Sequence, residues 1–196
     1  MALNTPENRQ VLIKSTPSLK DDPYYYVSSE ATGEYNCIAW AMGFTDRWID
    51  HFPGGGKNLK KWWPEGVERG FNPECLVKAF MAVGFECCDD DSYEEGYEKV
   101  ALYKLEPYID WFNRIFERVA WTHAAKVLTP NTYHSKMGPQ FDIYHSSGSV
   151  LQASYGDVFQ FMKRKIEDRQ IVDRIIAQEQ GITIPTNIVD EIANLL

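Results

Sequence analysis

At 196 residues, with 44% hydrophobic and 14% aromatic side chains, the chain can bury one substantial core and is too apolar for a disordered polymer. A net charge of −8 argues against attraction to nucleic-acid phosphates or an anionic membrane surface, both of which need clustered Lys and Arg. No apolar run is long enough to span a bilayer and the first thirty residues carry no signal-like apolar segment, so the expected setting is cytoplasmic.

Residues 1–30 are rich in turn formers ("STPSLKDDPYYY") and read as an N-terminal arm with one short strand at residues 11–13. From Tyr35 to Phe44, Ile38, Trp40, Ala41 and Phe44 recur at helical spacing, with Asn36 as a cap and Gly43 as a stop. "HFPGGGKNLKKWWPEG" is a loop anchored by Trp62 and Trp63. Asn72 and Pro73 open a second helix with Leu76, Val77, Phe80 and Met81 on one face. After the acidic turn "CDDDSYEEG", the alternation in "YEKVALYKL" predicts a strand. "EPYIDWFNRIF" reads as a short helix, and "ERVAWTHAAKVL" with "TYHSKMG" as a hairpin about "TPN".

Asp157 with Gln160 three residues on resembles a capping box, and Val158, Phe161, Met162, Ile166, Val172, Ile175 and Ile176 suggest a helical stripe up to Gly181. A last helix carries Ile188, Val189, Ile192 and Leu195, a candidate face for a protein partner. Helices, then an antiparallel sheet, then helices make an α+β fold.

The chemistry centres on "NCIAWA". A thiol is a useful nucleophile only if its thiolate is stabilised, and a helix N-terminus favours negative charge; Asn36 as N-cap makes Cys37 the first helical residue. Those amides are candidates to hold an oxyanion, with Asn36 beside them. Of four histidines, His123 in "VAWTHAAKVL" is the best base, because it sits on a strand with small neighbours, Ala124 and Ala125.

A Cys opening an early helix, a His on a later strand and a polar residue on the paired strand resemble the papain-like cysteine hydrolases. "NCIAWA" is most similar to the CHAP and NlpC-type branch. The set "NCIAWA", "WTHAA" and "SKMG", with "KWWPEG" between the first two, also resembles a bacterial family that shares the three blocks. The similarity covers roughly residues 35–163 and implies a papain-like fold: a Cys-bearing helix on a small antiparallel sheet, with C-terminal helices. The implied organisation is an arm (1–30), a catalytic domain (31–163) and a helical extension (164–196).

On that pattern Cys37 is the nucleophile, His123 the base and a third residue orients the imidazole. With a three-residue loop, Thr129 to Asn131, Leu128 pairs with Thr132, Met137 lies opposite His123, and Ser135 shares its face two residues away. A two-residue loop puts Lys136 there instead. Ser135 fits best; His134 and Asp142 stay open. One departure from papain is Ala31, where a glutamine is expected six residues before the nucleophile.

Read blandly, a cysteine inside "CIAWAM" is core packing, a strand histidine is structural, and Ser135 is an ordinary strand serine. "GGGKN" lacks the phosphate-loop spacing, "DDDSYEEG" lacks calcium-loop order, and Cys87 with Cys88 lack the C-x-x-C pair of a zinc site, so neither cofactor nor metal is expected. The resemblance implies a thiol hydrolase or acyltransferase acting on a peptide or protein amide, or an ester, with an inactive papain-like binding or interaction domain as the alternative.

Overall fold

The computed structural model describes residues 3–51, 61–109, 115–116 and 119–179. It opens with helix α1 (Pro6–Ser15), capped by the Thr5 hydroxyl, which accepts from the Asn8 amide at 3.2 Å, and started by Pro6. The strand expected at residues 11–13 is therefore a turn of this helix; a lone apolar triplet fits either conformation, and the cap decides. A 3-10 turn (Pro17–Asp21) leads to strand β1 (Tyr26–Val27).

Helix α2 (Cys37–Met42) follows its Asn36 cap and ends at Gly43, whose φ of 102° suits glycine. Strands β2 (Trp48–Ile49) and β3 (Lys61–Trp62) form a small parallel pair, and Trp63 is buried. Lys57 and the "GGGKN" loop lie outside the described residues. Helix α3 (Pro73–Met81) begins at its Asn72 cap and buries Cys75, Leu76, Ala79 and Phe80. Its apolar face is turned one residue from the expected one, leaving Met81 exposed.

Next come β4 (Glu86–Cys88), β5 (Tyr97–Leu105), β6 (Tyr108–Ile109) and β7 (Ile115–Phe116). The last two pair as a minor hairpin where a short helix was expected. Strands β8 (Ala120–Thr129), β9 (Thr132–Lys136) and β10 (Asp142–His145) are followed by the short helix α4 (Gln152–Tyr155), β11 (Asp157–Lys165) and α5 (Gln170–Glu179).

One seven-stranded antiparallel sheet organises the molecule, in the order β1-β10-β9-β8-β5-β11-β4. The α+β reading is correct, but the helix expected from Asp157 is strand β11. That strand pairs on both sides, with β5 and β4. Its Met162 enters one core and Phe161 packs on the other. A strand covered on both faces loses the hydrophobic alternation that marks a strand, so its apolar residues imitated a helical stripe. The boundary expected after Lys163 falls inside β11. Helix α5 accounts for Val172, Ile175 and Ile176, which pack on the helix-side core. The last expected helix, 188–195, lies outside the described residues.

Helices α2, α3 and α5 cover one face of the sheet around Ile38, Met42, Leu76, Phe80 and Val100. The other face is covered by the segment read as an arm: Leu12, Leu19, Tyr25 and Val27 join Tyr103, Tyr133 and Ile143 in a second core. Residues 3–30 are thus a structural layer. Buried Arg164 ties β11 to the helices, donating to the carbonyls of Val83 (2.9 Å) and Met42 (3.1 Å) and to Glu98 Oε1 (2.8 Å). This satisfies carbonyls at the ends of α2 and α3 that would otherwise be orphaned in the core.

Candidate functional site

The site lies where β8 and β9 stop pairing. Thr129 and Thr132 close a two-residue loop, and a bulge at Leu128 restores the pairs Val127 with Tyr133 and Lys126 with His134. The turn is shorter than expected, yet beyond the bulge the register equals that of the three-residue loop. Pairing with β9 ends at Lys126, while pairing with β5 continues to Ala120. The β9-side edge of β8 near Ala124 is therefore open.

Into this opening reaches Cys37. Asn36 Oδ1 accepts from the amides of Ala39 (3.0 Å) and Ile49 (3.2 Å), and its Nδ2 donates to the Ile49 carbonyl (2.9 Å). The cap role holds, and these three bonds tie the side chain into the junction of α2 with β2. Burial pushes the Cys37 thiol up to about 11, against the N–H groups of Ala124, Ile38 and Cys37 itself and the charge of Lys136. The expectation of a resting thiolate is thereby overturned: a six-residue helix offers a weak dipole, and desolvation outweighs it. As a residue Cys37 retains partial exposure.

His123 is fully buried. Its ring packs with Tyr103 (5.3 Å, edge-on) and lies under Tyr155 (4.3 Å, stacked), on the second-core side of β8, whereas Ala124 joins the helix-side core. Thiol and imidazole approach from different sides. The sulfur is met by the amide that follows His123, and Tyr155 interacts electrostatically with Cys37 while covering the His123 ring. No Cys–His hydrogen bond forms at rest: His123 Nδ1 has no partner among the described residues. Burial and the neighbouring His145 lower the imidazole to about 3.

Ser135 lies where the parity argument put it, with Oγ 3.0 Å from His123 Nε2. It also contacts His145 Nε2 at 2.8 Å, and His145 Nδ1 meets the Ser146 carbonyl at 2.7 Å. His134 is turned to the helix side, bonded to Ser28 Oγ (2.9 Å) and stacked on Tyr144, and so does not orient His123. Asp142 serves Tyr35, which donates to it at 2.8 Å, and fully buried Lys136, at 3.6 Å. Neither alternative third residue touches His123.

His145, Lys136 and Tyr155 are what sequence reasoning missed or set aside. The available signal was β10: Ile143 pairs with Ser135 and His145 with Tyr133, so the alternation of "FDIYH" carries His145 to the face of His123. Tyr155 is held by Gly156, at φ 81°, where an added Cβ would lie 1.9 Å from the Lys104 carbonyl oxygen. Gly156→Ala is expected to destabilise the fold by about 3 kcal/mol in chemical denaturation; unchanged stability would refute this close approach.

Among the described residues, no group of three or more His, Cys, Asp or Glu side chains is arranged to hold a metal ion, and no helix is long and apolar enough to cross a membrane. A search of curated proteins found no match, nor did a search of solved structures. Residues 26–163, more than half of the chain, match the family described as a domain of unknown function (DUF7689), and the chain belongs to that family.

Proposed function

We propose that the chain is a cysteine-dependent hydrolase or acyltransferase of papain-like design, acting on an amide or ester bond, with Cys37 as nucleophile and His123 as base. The observation that carries this reading is the unpartnered Nδ1 of a fully buried histidine whose next residue, Ala124, gives its amide to Cys37. An unmade hydrogen bond at a buried polar atom costs on the order of 1–3 kcal/mol. Such a group calls for an explanation, and a proton acceptor awaiting the thiol proton supplies one.

In the reaction the Cys37 proton passes to His123 Nδ1 as sulfur attacks the carbonyl carbon. The carbonyl pair moves onto oxygen, facing the backbone N–H groups about the sulfur. Collapse expels the amine or alcohol, which takes the proton back from His123, and leaves a thioester on Cys37. Water or an amine then attacks, giving its proton to Nδ1, and sulfur departs and is reprotonated. A peptide or protein amide is the substrate class this reading favours. A reducing, cytoplasmic setting belongs with it, since all four cysteines are free.

With a thiol near 11 and an imidazole near 3, the resting pair is neutral. Alkylation of Cys37 by iodoacetamide, followed site by site by mass spectrometry, is expected to accelerate about tenfold per pH unit between pH 6 and 9. A rate already level below pH 8 would show a preformed ion pair. The missing sulfur–nitrogen hydrogen bond favours a second reading, a papain-like binding domain without chemistry. Incubation with activated thioesters and esters decides: a covalent acyl group on Cys37 supports the enzyme, and none at any pH supports the binding domain.

A further inference from the structure

Three links join His123 to the backbone of the segment after β10, and their proton order follows from one end. The Ser146 carbonyl can only accept, so His145 Nδ1, at 2.7 Å, carries a proton and donates it. Burial keeps His145 neutral by lowering it to about 4, so its Nε2 is an acceptor. The Ser135 hydroxyl, at 2.8 Å, therefore donates to that nitrogen. Its oxygen is left to accept from His123 Nε2–H at 3.0 Å. The His123 proton is thus placed on Nε2, and Nδ1 keeps its lone pair.

The geometry points to His145 as a positioning residue that acts through the Ser135 hydroxyl to hold His123 in the Nε2–H tautomer, with Nδ1 free to take the Cys37 proton. Its role in catalysis rests on the reading of His123 as the base. Without the His145 acceptor, Ser135 is free to rotate and donate to His123 Nε2. The proton would then sit on Nδ1, and the lone pair that a base needs there would be lost.

The far end of the relay is itself secured. The Ser146 amide donates to Asp22 Oδ2 at 2.8 Å, and Asp22 Oδ1 accepts from the Tyr24 amide at 2.9 Å. The layer formed by residues 3–30 therefore holds the carbonyl that sets the proton order. The Tyr155 ring over His123 and the Tyr133 edge on His145 (5.9 Å) hold the two imidazole planes. A ring flip of His123 would put Cδ2 and Cε1 where Nδ1 and Nε2 stand, and the stacked Tyr155 opposes it.

Long-range proton–nitrogen NMR spectra of the ¹⁵N-labelled full chain at pH 7 test the assignment directly. The expected result is His123 protonated at Nε2 only and His145 at Nδ1 only. His145→Gln keeps one acceptor and one donor on the side chain, so His123 should retain its tautomer. Cys37 acylation by p-nitrophenyl acetate should then stay within about threefold of the wild-type chain. His145→Leu removes the acceptor and should shift the tautomer and slow acylation about 10- to 100-fold.

A wild-type His123 protonated at Nδ1 overturns the proposal without recourse to any variant, and so does His145→Leu with tautomer and rate unchanged. A chain with the expected tautomers that no acyl donor modifies would refute the catalytic reading above and leave the proton order standing. The two failures are therefore separable.

Discussion

Cys37→Ala is expected to abolish acyl-enzyme formation, and His123→Ala to lower its rate by about 10³-fold. The size of the second effect follows from the environment. A thiol near 11 is ionised to only about one part in 10⁴ at pH 7, and an imidazole near 3 does not deprotonate it at rest, so the proton has to leave sulfur as the new bond forms, with an acceptor in place at that moment. Acylation by p-nitrophenyl acetate, followed by mass spectrometry with denaturation curves of each variant alongside, measures this. If His123→Ala reacts as fast as the parent at pH 7 and remains folded, the histidine is no base and the assignment is lost. Raising the pH should partly rescue the histidine variant, because hydroxide then generates the thiolate directly and no proton need pass to imidazole during attack. Equal deficits at pH 7 and pH 10 would point to a packing role instead.

Acidification from pH 6.5 to 4 is expected to remove on the order of 5 kcal/mol of folding stability, much of what a domain of this size possesses. His123, His134 and His145 are held neutral by burial, at about 3, 4 and 4 respectively. Against an ordinary value near 6.5, the unfolded chain binds more protons throughout that window. Stability is therefore full above pH 6.5 and falls as pH drops toward the folded values. His123 and His145 repel each other when charged, so their contributions do not simply add.

Glu98 works in the same direction. Arg169 and Arg164 outweigh its burial and hold its carboxyl below the usual range, so protonating it also costs stability. Asp142, raised by burial, opposes the trend. Urea unfolding at half-unit steps from pH 7 to 4 is the measurement. A midpoint constant over that range would contradict the neutral burial of these rings, and with it the proton order of the relay. His145→Gln, which does not titrate, should flatten part of the slope.

How far the sequence reaches can be followed through particular residues. Asn36 before an apolar helical run, and Asn72 before Pro73, are local signals: the cap side chain bonds an amide two or three residues away, and α2 and α3 stand where those caps put them. Ser135 beside His123 was legible for a related reason. Strand alternation has a period of two, so parity survives a turn shortened by one residue once the bulge at Leu128 restores the count. β11 was not legible, because its partners β4 and β5 lie more than fifty residues earlier and its two covered faces erase alternation. His145 was missed with β10, a four-residue strand after a turn, too short for its pattern to register.

The sequence by itself determined the α+β class, the two capped helices, the place of Cys37 at the start of one of them, and Ser135 within reach of His123. Those depend on interactions spanning a few residues or on hairpin parity. Only the tertiary structure decided that residues 3–30 form a layer of the core, that β11 is a strand, that His145 stands behind Ser135, and that thiol and imidazole are both neutral. Each of these depends on which distant segments exclude water from which atoms, and desolvation is a property of the assembled fold that no local spacing records.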